Sequence, residues 1–169
     1  EPSQEPSAEP SQEPSEPASE PSQEPGPDPG FIRIDVDGFY PNAVAINAIE
    51  GNIYIGSYAL GSIHVKNIFS GLSESSAGFY SHAQPGGIGG MRFNGGFLWA
   101  CFNPADPALG PAALLQIDPS SGGLLASYPL ATGAYCARIT NDSSGNVFVS
   151  EPRSSHIWRL ARNAAAIEP

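Results

Sequence analysis

Basic residues are scarce in this chain of 169 residues, and the first thirty positions contain none. The seven Lys and Arg residues are spaced singly through residues 31–169, whereas 17 acidic residues bring the net charge to −10. A surface that binds nucleic acid needs clustered Lys and Arg to displace counterions from phosphates. The composition therefore argues against nucleic acid as a partner.

Long apolar runs and an initiator Met are missing as well. No stretch approaches the ~18 consecutive apolar residues of a membrane-spanning helix, so no membrane span is expected. The chain begins with Glu1, inside a repeat, and has no signal-peptide pattern. We therefore interpret it as a piece of a longer protein or as a processed product. Its compartment is not evident from a targeting signal.

Residues 1–30 repeat the tripeptide Glu-Pro-Ser and carry eight of the acidic residues. Proline at about every third or fourth position removes backbone donors and blocks helix, and apart from proline no apolar residue larger than Ala is present. We expect a disordered, extended, proline-rich linker over 1–30. The alternative is a ligand for proline-recognising modules or a phosphorylated stalk. A stalk of this kind favours an extracellular or cell-surface location.

From residue 31 onward, short alternating runs are separated by turns that contain glycine. Residues 31–36 suit an edge or outer strand. Further strands are predicted at 43–47, 52–58, 62–68, 87–93, 97–102, 113–118, 124–130, 137–140, 147–149 and 157–160. Asn-Gly and Ser-Gly turns between such runs are typical of hairpins. Helix signals are absent, so residues 31–169 are predicted to form one all-β domain.

The order of strand, turn and strand recurs three times. The aligned second strands begin at residues 52, 96 and 146, so the repeat lengths are 44 and 50 residues. Such a period fits one four-stranded blade of a β-propeller per unit, whereas a β-sandwich would not account for the repeat. Inner strands rich in Ala and Gly suit blades that crowd toward an axis. Tyr54, Trp99 and Phe148 are equivalent, and we expect them in the core between blades rather than as a platform for sugars.

Residues 41–67 (PNAVAINAIEGNIYIGSYALGSIHVKN) and 137–160 (ARITNDSSGNVFVSEPRSSHIWRL) resemble blades of known six-bladed propellers. The group includes the SMP-30/gluconolactonase/LRE-like and NHL-repeat families, with the TolB-like architecture. These families show a Pro-x-Gly-apolar-Ala-Val-Asp pattern, a Gly-Asn turn, a Leu-Tyr-Val run and a strand that ends in Arg-Ile. The resemblance covers most of residues 41–162. It implies a β-propeller of about three blades, and its motifs are ones that build blades.

For a lactonase of this group, the resemblance also implies a calcium or zinc ion at the propeller axis. Carboxylate and Asn side chains at the starts of inner strands would hold the ion, which would polarise a lactone carbonyl and activate water. Asn42 matches the Pro-Asn of the family, but the corresponding positions of the third unit are Ala137 and Arg138. Asn42 is thus a weak metal-ligand candidate. The favoured interpretation is a turn residue whose side chain caps its own backbone. No catalytic residue is predicted.

Cys101 and Cys136 are the two cysteines of the chain. They end a middle strand and begin an inner strand of neighbouring units, so a disulfide between blades and two buried thiols are both open interpretations. Asn141 begins the N-glycosylation sequon Asn-Asp-Ser, which matters if a eukaryote secretes the chain. Asp142 is predicted to start a tight turn. His64 alternates with apolar residues on a strand and is expected to face solvent.

Three blades are too few for a closed ring, because the outer blades keep exposed faces and edges. We expect a truncated propeller, a homodimer that closes the ring, or a half-propeller held by another domain. The favoured function is a non-catalytic module that binds an unknown protein or small-molecule ligand. The alternative is a metal-dependent lactone hydrolase whose site is completed by missing blades or by a second chain.

Overall fold

The computed structural model describes residues 32–70 and 76–169, in which all regular structure is β-strand apart from two single turns of 3-10 helix. The predicted linker over 1–30 lies outside the described residues. Within them, no helix is long and apolar enough to cross a bilayer. The all-β prediction for the folded part of the chain is confirmed.

The strands form three antiparallel sheets, each a meander in chain order. The first sheet contains β1 (Pro41–Asn47), β2 (Asn52–Ser57), β3 (Ser62–Asn67) and β4 (Ala77–Ser81). The second sheet contains β5 (Gly86–Asn94), β6 (Phe97–Pro104), β7 (Ala113–Ile117) and β8 (Leu124–Pro129). The third sheet contains β9 (Arg138–Asn141), β10 (Val147–Glu151) and β11 (His156–Leu160). The 3-10 turns are Ile68–Ser70 and Pro107–Leu109.

The first strand of each sheet lies innermost, since β5 packs against both β1 and β9. Consecutive meander sheets that meet through their first strands are the blades of a β-propeller. We therefore call the sheets the first, second and third blade. The chain forms part of a propeller, as the repeat predicted.

Close backbone approach at the inner strands explains their glycines. A Cβ atom added at Gly89 would collide with the carbonyl oxygen of Cys136, and one added at Gly90 would collide with that of Ala137. Backbone at this distance cannot move aside as a flexible side chain would. Crowding of small residues near the axis is thus confirmed at the boundary between the second and third blades.

Two predictions about strands are wrong. Residues 32–36 form no strand, and among the described residues their one backbone hydrogen bond to a distant segment runs from the Ser76 amide to the Arg33 carbonyl, at 3.4 Å. The third blade has three strands rather than four, and beside β11 only an isolated bridge pairs Arg159 with Glu168. In both cases an alternating or blade-like pattern lacks the continuous backbone pairing that a strand needs.

Aromatic residues of the middle strands fill the spaces between blades. Tyr54 is completely buried between the first and second blades, and Trp99 is buried between the second and third. Phe148 is half-buried, and it alternates with Val147 and Val149, which face the second blade. The expectation of a core position is confirmed for Tyr54 and Trp99. Phe148 faces away from the second blade, and no described sheet covers it.

Candidate functional site

A cleft of about 380 Å³ opens where loops from all three blades meet. The first blade contributes Tyr58, which follows β2, and the second contributes the start of β5, the end of β6 and several residues of the loop after β6. Residues 133–135 before β9 and Arg153, in the turn between β10 and β11, complete it. We call it the three-blade cleft. Loops at one end of a rigid sheet scaffold are common places for binding groups.

A cation and two phenol rings lie together in the three-blade cleft. The guanidinium carbon of Arg153 is 5.1 Å from the ring centroid of Tyr135, a distance typical of a cation–π contact. Burial raises the pKa of Tyr135, the nearby Tyr58 raises it further, and Arg153 and Arg138 oppose the shift. Within the described residues, neither phenol hydroxyl makes a hydrogen bond to the protein. The two hydroxyls are therefore available to a ligand, and the guanidinium makes one long hydrogen bond, from Nη1 of Arg153 to the Gly133 carbonyl at 3.5 Å.

Glu151 stabilises the backbone of the three-blade cleft through hydrogen bonds. The side chain is 1% exposed, and its carboxylate accepts hydrogen bonds from the backbone amides of Tyr135, Arg153 and Ser154 at 3.1, 2.8 and 2.7 Å. The Ser154 hydroxyl also bonds to it. These donors, the Ser154 hydroxyl first, lower the pKa of Glu151 to about 2 against the opposing effect of burial. One charged carboxylate thus fixes the backbone of both Tyr135 and Arg153.

Ser154 and His156 complete this cluster but do not form a nucleophile. The Ser154 oxygen lies 2.8 Å from Nδ1 of His156 and also bonds to Glu151. A serine nucleophile needs a base that removes its proton. Here the hydroxyl proton points at a carboxylate that binds protons weakly, because the pKa of Glu151 is about 2. The contacts of the cluster hold the turn between β10 and β11.

Asn42 ties the first blade to the second. Its side-chain nitrogen donates to the carbonyl oxygens of Ile88 and Gly89, at 3.1 and 3.0 Å. The interpretation of Asn42 as a residue that caps its own backbone is wrong, because its partners belong to the neighbouring inner strand. The amide oxygen is the one metal-binding atom that this side chain offers.

The surroundings of Asn42 do not fit a calcium or zinc centre. Calcium takes six to eight oxygen ligands and a structural zinc takes four ligands. The carbonyl groups of Ile88 and Gly89 already accept hydrogen bonds from Asn42. In the described ranges, no group of three or more His, Cys, Asp or Glu residues could hold a metal ion.

Cys101 and Cys136 are bonded to each other in the structure, with their Cα atoms 5.1 Å apart. Both are fully buried. Next to them, the Asn103 side chain donates to the Cys136 carbonyl and accepts from the Cys136 amide. The end of β6 is thereby joined to the segment that leads into β9. Of the two interpretations left open by the sequence, the structure contains the disulfide between blades.

The sequon residue Asn141 has both side-chain groups engaged. Its oxygen accepts from Nε of Arg92 at 3.0 Å, and its nitrogen donates to the Asp142 carbonyl at 3.2 Å. Glycosylation of Asn141 stays a prediction. Asp142 accepts from the backbone amides of Ser144 and Asn146, which confirms its predicted role in the turn, and these bonds lower its pKa together with one from the Asn146 side chain, the largest cause.

His64 is buried, with 9% exposure, and the expectation that it faces solvent is wrong. Its ring contacts Phe39 edge-on with centroids 5.0 Å apart, and Nδ1 lies 3.2 Å from the Ser76 hydroxyl. The segment before β1 folds over this face of the first blade. The alternation within β3 alone could not reveal that cover.

Comparisons with known proteins give information about the fold of this chain but not about its function. No family model matches the sequence, and no curated protein matches it. A protein of unknown function from Bacteroides caccae superposes with a TM-score of 0.54 and 17% identity, over 76% of this chain and 44% of that one. The Dos1 propeller superposes with a TM-score of 0.40 and 17% identity, over 82% of this chain and 50% of that one.

The chain thus spans about half the length of each of these structures. At 17% identity, the likeness to the Bacteroides caccae protein shows a shared fold alone. None of these comparisons names the SMP-30/gluconolactonase or NHL-repeat families. Membership in either one stays a hypothesis based on the blade motifs.

Proposed function

We propose that this chain is a non-catalytic binding module that uses the three-blade cleft for a small ligand. The observation that carries the proposal is the convergence of Arg153, Tyr58 and Tyr135 on one cleft. The first and third blades supply these side chains, so the site exists only where these blades are folded together. Concave sites with a few convergent polar groups are the usual places for small ligands.

The chemistry of the cleft favours a ligand that carries a carboxylate. A guanidinium binds a planar carboxylate through two parallel hydrogen bonds, and phenol hydroxyls donate to the same oxygens. Glu151 does not compete for the guanidinium through the bonds it makes, since its oxygens accept from backbone amides and a serine hydroxyl. The contact with the Tyr135 ring holds the Arg153 side chain over the cleft.

Titration of the full chain with acetate, citrate and glucuronate tests this proposal. We expect saturable amide shifts in the NMR spectrum at residues 133–135 and at Arg153. Arg153→Gln should weaken binding about tenfold or more, because it removes a charge-assisted hydrogen-bond pair. Arg33→Gln is the matched control, since Arg33 is exposed and lies outside the cleft. Equal affinities of the two variants, or no saturable shift with any carboxylate, would overturn the proposal.

A metal-dependent lactone hydrolase of the SMP-30/gluconolactonase type is the second candidate. The match of Pro41-Asn42 to the family motif supports it, and the ligand shortage around Asn42 speaks against it. A ligand that binds the folded state raises the melting temperature. Added calcium or zinc should therefore raise the melting temperature, and small lactones should be hydrolysed, if this candidate is correct. Asn42→Ala should abolish both effects.

We further propose an extracellular or cell-surface location, with residues 1–30 as a linker. The bonded pair Cys101–Cys136 supports it, because structural disulfides persist mainly in oxidising compartments.

A further inference from the structure

A larger hollow of about 620 Å³ lies between the second and third blades, at the other end of β6. The three-blade cleft contains Asn103 near the end of β6, whereas this hollow contains Phe97 and Trp99 near its start. The turns after β5 and β9 and the segment after β11 form its rim. We call it the interblade groove. It shares no lining residue with the three-blade cleft.

Three aromatic rings form one wall of the interblade groove. The ring centroids of Phe97 and Trp99 are 6.3 Å apart in an edge-on arrangement, and those of Trp99 and Tyr128 are 6.2 Å apart with a tilt of 34°. Trp99 is almost completely buried, but Phe97 and Tyr128 are half-buried. Parts of the Phe97 and Tyr128 rings are thus exposed to solvent, and both rings pack on the buried ring of Trp99.

The rest of the lining combines apolar residues with polar ones, and its charges balance. It includes one acid, Asp142, and one base, Arg162, together with the amides of Gln116 and Asn141 and the hydroxyls of Ser143 and Ser144. Gln116 accepts from the Tyr128 hydroxyl at 3.3 Å, and its amide nitrogen has no hydrogen bond within the described chain. Arg162 is exposed, and its side chain passes Gly145, where an added Cβ atom would lie 3.3 Å from Cδ of Arg162.

We propose that the interblade groove binds a sugar ring of a neutral oligosaccharide. The C–H face of a pyranose packs well on aromatic rings, and its hydroxyls accept from amide and guanidinium N–H groups and donate to amide oxygens. The lining of the interblade groove contains both the aromatic rings and the hydrogen-bonding groups. The volume lies within the range of roughly 300–1,000 Å³ that is usual for small-ligand sites. A balanced lining gives no preference for an anion, in contrast to the three-blade cleft.

Tryptophan fluorescence of the full chain provides the test. Trp158→Phe leaves Trp99, of the two tryptophans, as the reporter inside the groove. The probes are cellotetraose, mannotetraose and chitotetraose. We expect at least one of them to change the Trp99 emission saturably at millimolar concentrations or below. Gln116→Ala and Arg162→Ala should each weaken that binding about three- to tenfold, since each removes one or two hydrogen bonds.

Gln84→Ala is the matched control, because Gln84 lies in a loop outside the groove. Tyr128→Phe is a milder variant that removes only the hydroxyl bonded to Gln116, and it should also weaken binding. The proposal is overturned if no tetrasaccharide gives a saturable change, whether or not an aromatic peptide changes the Trp99 emission. It is also overturned if Gln84→Ala weakens binding as much as Gln116→Ala. If no carboxylate bound to the three-blade cleft, this result would be unchanged, so the two proposals fail independently.

Discussion

Asn103 and Cys136 exchange two hydrogen bonds across the boundary between the second and third blades, both with a donor–acceptor distance of 2.9 Å. The side-chain amide of Asn103 therefore imitates the backbone of a neighbouring strand. Cys136 is fully buried, so its amide and carbonyl have no access to water as an alternative partner. The disulfide to Cys101 lies at the same place.

Asn103→Ala should lower the free energy of unfolding by about 2–4 kcal/mol. The substitution leaves a buried donor and a buried acceptor of Cys136 without partners, and each such group costs about 1–3 kcal/mol. Urea denaturation followed by circular dichroism measures the change. Asn94→Ala is the control, since no hydrogen bond of the Asn94 side chain is described, and it should stay within about 0.5 kcal/mol. Equal unfolding midpoints for both variants would contradict the role of Asn103.

Glu151 should make the stability of the chain depend on pH in the acid range. The pKa of Glu151 is lowered from its usual 4.5 to about 2 in the folded state, with the Ser154 hydroxyl as the largest cause. A lowered pKa stabilises the fold above the unfolded value and loses that effect as the pH falls toward the folded one. The stability difference between the wild type and Glu151→Gln should therefore be full above about pH 5 and should shrink toward pH 2.

Denaturation of both proteins with guanidinium chloride across this pH range measures that difference. The contributions of the other acidic residues cancel, because both proteins contain them. Ser154→Ala provides a second check, because it keeps the carboxylate but removes the largest cause of the low pKa. Its stability should begin to fall at a higher pH than that of the wild type. A difference that stays constant from neutral pH down to pH 2 would show that Glu151 is not held as a carboxylate.

The disulfide should contribute about 3–4 kcal/mol to stability. It closes a loop between positions 35 residues apart, and the entropy that such a loop removes from the unfolded chain has this size. The double variant Cys101→Ala with Cys136→Ala should lower the urea midpoint accordingly. Alkylation of the denatured, unreduced protein should label neither cysteine. Complete labelling of both would show that the thiols are free.

Tyr54→Ala should destabilise the chain far more than Phe148→Ala, although the two rings occupy equivalent strand positions. Tyr54 is fully buried between two blades, and deletion of such a ring costs about 3–5 kcal/mol. Phe148 is half-buried on a face that no described sheet covers, so about 1 kcal/mol is expected. Thermal unfolding of both variants gives the comparison. Similar losses would mean that another surface packs on Phe148.

The sequence predicted those parts of the fold that depend on local pattern. Alternating runs and Gly-containing turns located ten of the eleven strands. The missed strand, Ala77–Ser81, is short and mostly exposed, and it contains a glycine, so it has no clear alternation. The expected strand at 31–36 does alternate, but residues 32–36, which the structure describes, lack the continuous pairing with a neighbour that alternation does not reveal.

The contacts that join the blades and fix the backbone of the three-blade cleft could not be predicted in the same way. Asn42, Asn103 and Glu151 bind backbone groups 46, 33 and 16 positions away, and such partners depend on how blades pack. A signal for Glu151 was present in the Glu-x-x-Ser turn, where a carboxylate is followed by amides within reach. The burial of His64 depended on a segment whose path has no sequence pattern of its own.

Hydrogen bonds and a disulfide together join the second and third blades. This joint also determines how the chain would respond to force. The first boundary is held by apolar packing and by hydrogen bonds, among them those of Asn42 and the one from the Tyr54 hydroxyl to the Pro119 carbonyl, whereas the second also has a covalent bond. A pull on the two ends should therefore detach the first blade before the other two separate. Because the bond spans 35 residues, it also withholds about 110 Å of contour length until a reductant releases it.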